Sequence, residues 1–166
     1  MDSPLVAPLN RVPYHLGIAT CDLERARVQL GALFGVAWSP TRTVEGELPT
    51  TGAYAGPTRR MHSLGGPMRL EVIEGTARSV WATSQIGELH HYAYWSADVA
   101  SDVQELVAVG WQIEMATVDR EGRPTLFAYL VKPGHIRVEF LADSQRPAYE
   151  EVVGVRVATD VSATIS

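Results

Sequence analysis

Residues 14–35 read YHLGIATCDLERARVQLGALFG, and this stretch decides the fold. Residues 14–20 predict a strand. Asp22 comes next, a residue whose side-chain oxygen can take up the free N–H groups at the start of a helix. Leu23, Ala26, Leu30 and Leu33 then recur at helical spacing on one face, and Gly35 marks the stop. The same order returns at residues 89–110, LHHYAYWSADVASDVQELVAVG. Residues 89–98 predict a strand, Val99, Val103, Leu106 and Val107 share a helix face, and Gly110 ends it.

The segments after the two helices are also alike. After Gly35 come residues 37–48, a loop around Gly52 to Pro57, residues 59–64, a Gly65–Gly66–Pro67 turn and residues 68–74. After Gly110 come residues 111–119, the turn REGRP, residues 125–131, a Pro133–Gly134 turn and residues 135–143. Each half is therefore β-α-β-β-β, an internal repeat at low identity. One such unit leaves a sheet face wet, whereas two side by side can curl their sheets around a shared cleft. The expected class is α+β: two βαβββ modules pairing curved mixed sheets around one cleft, with the helices outside. Residues 1–12 form an irregular lead-in and 13–146 a single domain. Within it lie module one (13–75), a linker (76–87) in which Val80 and Trp81 pack inward, and module two (88–143). Residues 147–166 are a tail, whose Val-rich stretch from Val152 to Val157 reads equally as a strand or as disorder.

Composition agrees with one globular domain. The chain has 166 residues, 46% of them hydrophobic and 20% charged, and a net charge of −5. That length buries roughly 70% of the unfolded surface. The lone Cys21 excludes an internal disulfide and a Cys-rich zinc finger. The acidic balance argues against a nucleic-acid groove, which needs clustered Lys and Arg. No apolar run approaches the ~20 residues of a membrane span. The opening MDSPLVAPLN carries Asp2 and lacks an apolar core, unlike a secretory signal. A cytoplasmic protein with no membrane partner is the expectation.

Four strands share an odd feature, a titratable residue between apolar neighbours: His15 in YHLGI, Glu71 in RLEVI, His91 in HHYAY and Glu139 in RVEFL. Alternate strand residues point to opposite faces. Leu16 and Ile18, Leu70 and Val72, and Ile136, Val138 and Phe140 belong beneath the helices. His15 with Gly17 and Ala19, Glu71 with Ile73, His91 with Ala93 and Trp95, and Glu139 with Arg137 and Leu141 are left on the cleft face. Taken singly, a strand glutamate is ordinarily solvent-facing and a strand histidine ordinarily a hydrogen-bonded partner. Their recurrence at matching positions of both halves points instead to a mixed nitrogen–oxygen site for a divalent metal. Zinc, nickel, cobalt, manganese and iron(II) all suit such a donor set.

The segments YHLGIATCDLERA, RLEVIEG, LHHYAYWSADV and IRVEFLAD resemble the vicinal oxygen chelate superfamily, the glyoxalase/bleomycin-resistance/dioxygenase group, over roughly residues 13–143. The likeness is greatest to a glyoxalase-like branch, through VDREGRPTLFAYLVKPGHIRVEFLAD. The resemblance implies His15, Glu71, His91 and Glu139 as metal ligands. Because H-Y-A-Y matches H-L-G-I, His91 takes the ligand position and His90 is expected on the opposite side.

The resemblance further implies a metal-dependent isomerase, epimerase or lyase that moves a proton next to a metal-bound carbonyl through an enolate-like intermediate. Glu139 is the first candidate for the base and Glu71 the second, with Glu45 or Glu47 as outside partners. An extradiol-type iron(II) dioxygenase using His15, His91 and Glu139 is one alternative, and a non-catalytic ligand-binding or resistance protein another. Neither the methylmalonyl-CoA epimerase context in TRTVEGELPT nor a glutathione-binding pattern is evident, so the small oxygenated substrate is open. Trp95, Tyr129, Phe127 and Met115 are candidate substrate contacts, with Tyr94 and Trp38 as further wall residues. Arg123 could meet an anionic substrate, and His62 is read as a surface residue. A homodimer is implied by resemblance alone.

Overall fold

The caps form where the sequence places them. In the computed structural model, which describes residues 7–44, 50–52, 57–66 and 68–154, the Asp22 carboxylate accepts from the Arg25 N–H at 3.0 Å and Gly35 closes the helix in the left-handed region. Strand β1 (His15–Ala19) and helix α1 (Leu23–Phe34) thus open module one. It continues through β2 (Ala37–Trp38), β3 (Arg42–Val44), β4 (Thr50–Gly52), β5 (Thr58–Leu64) and β6 (Arg69–Gly75). Module two comprises β7 (Glu88–Ser96), α2 (Val99–Ala108), β8 (Gln112–Val118), β9 (Pro124–Val131) and β10 (Arg137–Ala142). A short helix, α3 (Arg146–Val152), comes after it.

All strands join one mixed sheet in the order β2-β5-β6-β1-β7-β10-β9-β8-β4, with β3 also on β5. Its four central members are β6, β1, β7 and β10. β1 runs parallel to β6, β7 runs parallel to β10, and the two modules meet where β1 and β7 pair antiparallel. The α+β class and the curved mixed sheet are as expected.

Side-chain alternation divides the interior. Leu23, Ala26 and Leu30 of α1 pack on Ile18, Met61, Leu70 and Val72. Val99, Val103 and Leu106 of α2 pack on Ala116, Ala128, Leu130, Val138 and Phe140. Leu33 and Val107, in the last turns, stay exposed. The other sheet face carries a third cluster of Ala19, Ile73, Trp81, Met115 and Tyr129, which lines the cleft. Trp81 of the linker packs there.

Residues 37–48 do not form one strand. β2 and β3 flank Pro40, which has no N–H to give a ladder, and each pairs with β5. β4 then pairs with β8 on the far edge, Thr50 opposite Thr117. Residues 45–49 join β3 to β4, and such a span reaches at most about 20 Å when extended. The two edges of the sheet therefore approach each other, and the sheet must curl. Glu45 and Glu47 lie outside the described residues, as does the tail from Val155 onward. Among the described residues no helix is long and apolar enough to cross a membrane.

Candidate metal centre

His15, Glu71, His91 and Glu139 lie on the four central strands, one each, and their side chains meet. Register explains why. Gly17 pairs with Glu71 on one side and His91 on the other, while Ala93 pairs with His15 and Glu139. Each small residue thus lies between a histidine of the other module and a glutamate of its own. The His91 ring lies over Gly17 so closely that a Cβ there would fall 1.9 Å from His91 Cε1. All four ligating candidates are buried, none more than 5% exposed.

The donor atoms are packed tightly. His15 Nε2 lies 3.0 Å from His91 Nε2 and 3.3 Å from one oxygen of each glutamate. His91 Nε2 is 3.1 Å from Glu139 Oε2 and 3.8 Å from Glu71 Oε2. Glu139 Oε2 nevertheless has no hydrogen-bond geometry to any described residue.

The outer nitrogens of both histidines are held. Tyr149 Oη lies 3.1 Å from His15 Nδ1 and reaches it from α3. His90 sits at a bulge, because Ile18 pairs with Leu89 and Gly17 with His91. It is buried on the same side as His91, ring centroids 5.1 Å apart, with its Nδ1 2.8 Å from His91 Nδ1. The expected opposite placement is thereby corrected: the extra residue breaks the alternation. His90 Nε2 lies 2.9 Å from the Val80 carbonyl, which can only accept, so this nitrogen carries the hydrogen. Burial, with His91 and Arg137 beside it, pushes His90 down to about 3 and keeps it neutral. Its bare Nδ1 must then accept from His91 Nδ1–H, which leaves the His91 Nε2 lone pair facing the cluster.

His62 is not on the surface. It is 4% exposed, and its Nε2 donates to Glu71 Oε1 at 3.1 Å. Register places it there, since His62 pairs with Glu71 across β5 and β6. Arg60, two residues earlier on the same face, donates from Nη1 to the same oxygen at 3.3 Å. Sequence reading missed Arg60, Tyr149 and the role of His90. For Arg60 the alternation Thr58, Arg60, His62 on a strand facing the cleft was the available sign.

A bare imidazole nitrogen and two carboxylates are all acceptors, so the cluster needs a cation, either a proton or a metal. The residues fit a metal. Ligands about 2.1 Å from a common centre stand about 3.0 Å apart at right angles and about 3.4 Å apart at tetrahedral angles, close to the spacings found. Without a metal the proton goes to His15. Burial opposes the imidazolium, yet the approach of Glu139 and Glu71 outweighs it and raises His15 to about 9. Burial likewise opposes both carboxylates, but the contacts of Glu71 with His15 and His62 hold it well below its ordinary value. The neighbouring His91 and His15 bring Glu139 to about 2.

The other expected contacts divide. Tyr129 is buried with its ring 5.0 Å from that of His91, Met115 packs with it, and Phe127 lies 5.9 Å from it. Trp95 packs on Tyr14 and Tyr149 at the α3 side. Tyr94 belongs to the α2-side core and Trp38 donates to the Arg27 carbonyl beneath α1, so neither lines the cleft. Arg123 is held in its turn by Asp119, about 20 Å along β9 from Tyr129, and does not reach the cluster.

Residues 14–129 match the family described as the Glyoxalase/Bleomycin resistance protein/Dioxygenase superfamily. The chain belongs to that superfamily. The matched span includes His15, Glu71 and His91 and ends before Glu139, which the fold itself adds to the cluster. Among solved structures, the superfamily fold aligns with methylmalonyl-CoA epimerase from Mycobacterium tuberculosis. The TM-score is 0.57 at 15% identity, over 90% of this chain and 96% of that one. A Streptomyces coelicolor methylmalonyl-CoA epimerase variant in complex with 2-nitronate-propionyl-CoA gives 0.53 at 19% identity, over 78% and 95%. A 4-hydroxymandelate synthase variant from the same organism gives 0.52 at 12% identity, over 79% of this chain but 47% of that one. These likenesses establish the fold. A comparison with curated protein sequences finds no match.

Proposed function

We propose that the protein is a divalent-metal-dependent enzyme of the glyoxalase/epimerase type, which moves a proton next to a carbonyl of a small oxygenated substrate. The observation carrying this reading is the buried cluster of acceptors from four adjacent strands, with the His91 lone pair fixed toward it by His90. His15, Glu71, His91 and Glu139 would hold the ion, whose Lewis acidity lowers the cost of removing a proton beside the carbonyl. The two carboxylates then have different tasks. Glu71 is gripped by His62 and Arg60, which lowers its basicity and fixes its direction. No described residue grips Glu139 in that way, its Oε2 facing the histidine nitrogens without a hydrogen bond, so Glu139 keeps more of its basicity and is the better placed base. Tyr129, Met115 and Trp81 keep water from the reacting carbon.

Glu71 also bears on the dioxygenase reading. A fourth anionic ligand takes a position that oxygen and a catechol would need beside a two-histidine, one-carboxylate iron. The test is metal analysis of untagged protein together with Glu139→Gln. The expected result is stoichiometric metal in the wild type. Proton exchange next to a substrate carbonyl should fall by about a thousandfold in Glu139→Gln. Protein that stays metal-poor in every preparation, with His91→Ala no different, overturns the reading. Oxygen uptake with catechols under iron(II) would favour the dioxygenase instead.

A further inference from the structure

The two outer walls of the cleft occupy equivalent backbone positions and differ in chemistry. On β5, His62 pairs with Glu71 and Arg60 with Ile73. On β9, Tyr129 pairs with Glu139 and Phe127 with Leu141. One wall is cationic and hydrogen-bonding where its counterpart is aromatic. Arg60 is also incompletely satisfied. Its Nη atoms reach Glu71 and Thr58 at 3.3 and 3.2 Å, whereas its Nε is sealed from solvent and has no partner among the described residues. A guanidinium has five N–H donors in a fixed fork suited to a carboxylate, and here at least one of them is unused among the described residues.

Charge points the same way. Glu71 and Glu139 together balance a divalent ion, with both cluster histidines neutral. Among the described residues the Arg60 charge then has no counter-charge of its own, because Glu71 is shared with the ion. Of the other arginines near this wall, Arg59 pairs with Glu74 and Glu24 on the outer face. Arg42, opposite Arg60 across β3 and β5, and Arg69, which donates to the Ser63 carbonyl, have no ion pair among the described residues, so the wall carries a net positive charge. The Arg60 side chain is 28% exposed, so water reaches that charge only in part, and a ligand acid group would neutralise it.

We propose that β5 forms the anion pole of the cleft: the ligand is a small organic monoanion whose acid group pairs with Arg60 while its apolar body lies toward the β9 wall, against the half-buried Phe127 that packs over Tyr129. The charge balance rests on the metal-centre reading; the wall asymmetry and the unpartnered Nε do not. The aromatic wall gives the molecule one orientation, because its acid end is not tolerated among aromatic rings and its apolar end gains nothing beside Arg60. Arg60 is thus a specificity-determining residue, distinct from the four that would hold the ion.

The experiment is calorimetric titration of phenylacetate and of its neutral isostere phenylacetamide into wild type, Arg60→Met and Arg60→Lys. Each is measured metal-free and after zinc loading, with metal content and thermal midpoint determined on the same samples. The expected result is that Arg60→Met weakens phenylacetate by about tenfold or more and leaves phenylacetamide unchanged, while Arg60→Lys recovers part of the loss. Equal losses for both ligands, no loss for phenylacetate, or no phenylacetate binding to folded wild type in either metal state overturns the anion pole. Failure to take up zinc overturns the metal-centre reading instead. The phenylacetate dependence on Arg60 in metal-free protein then still decides the anion pole.

Discussion

His90 and His91 are neighbours in sequence yet turn to the same side of β7, with their Nδ1 atoms 2.8 Å apart. The bulge makes this possible, and the Val80 carbonyl fixes which nitrogen of His90 carries hydrogen. His90 is therefore a positioning residue acting through His91. Replacing it with Phe removes the acceptor for His91 Nδ1–H and frees the wrong tautomer to form. Metal affinity should fall by about 10- to 100-fold, as for other groups that orient a ligating histidine. His90→Gln offers both an oxygen acceptor and an N–H donor and should restore most of it. Chelator competition measures the affinity, and the cobalt(II) absorption spectrum reports the ligand field. An unchanged affinity in the Phe variant sinks the assignment.

Gly17 carries an equally specific requirement. A methyl group there meets the His91 ring at 1.9 Å, with His91 itself fully buried. Gly17→Ala must push the ring or part β1 from β7, which in a close-packed interior costs about 1–3 kcal/mol. Urea unfolding should register that loss, and metal binding should fall more steeply than stability because His91 is displaced from the cluster. Ala93→Gly, at the equivalent place in module two, tests the symmetry. It removes a methyl without a clash, so it should lose some stability and keep metal.

These relationships mark how far the sequence could be read. His15, Glu71, His91 and Glu139 were legible because strand alternation is a local rule and each stood among apolar residues that had to face a helix. The Gly17 and Ala93 contacts needed strand register, which depends on which strands pair. His90 broke alternation, and no composition rule announces a bulge. His62 reads as an ordinary strand histidine until its partner across the ladder is known. Tyr149 lies in a seven-residue helix, too short to give a periodicity, and comes to His15 from 134 positions away. The pairing of β4 with β8 joins opposite edges of the sheet, a contact that local pattern cannot reveal.

A proton and a metal compete for the cluster. In metal-free protein His15 is raised to about 9, from the ordinary 6.5. A histidine raised on folding stabilises the chain fully below its unfolded value, and that contribution is lost as pH climbs through about 9. Metal uptake has the opposite sign. The proton must leave, so apparent affinity should weaken by about tenfold for each pH unit below 9 until other groups titrate. Calorimetry in buffers of different ionisation enthalpy should find about one proton released per metal near pH 7. Loading should also raise the thermal midpoint by about 10 °C when metal is about a thousandfold above its dissociation constant. A pH-independent affinity with no proton release contradicts this account.

Tyr149 ties α3 to the same cluster. Its hydroxyl meets His15 Nδ1 at 3.1 Å, and its ring packs on Tyr14, His62 and Trp95. Burial, with Glu71 and Tyr14 nearby, pushes that hydroxyl well above its usual value, so it stays protonated and can accept from a His15 Nδ1–H. With the ion in place, His15 uses Nε2 as ligand and must carry its hydrogen on Nδ1. Tyr149→Phe keeps the ring contacts and deletes only the partner of that hydrogen, leaving a buried N–H unsatisfied at a cost of about 1–3 kcal/mol. Tyr149→Ala removes both and should cost about 3–5 kcal/mol. The informative quantity is the difference between metal-loaded and metal-free unfolding. If α3 only covers the cleft, Tyr149→Phe lowers neither stability nor metal affinity. At pH 7 His15 carries its Nδ1 hydrogen in both states, so both proteins should lose alike. Above pH 9, where metal-free His15 is neutral and free to change tautomer, a hydroxyl that holds the ligating tautomer makes the loaded protein lose more than the metal-free one.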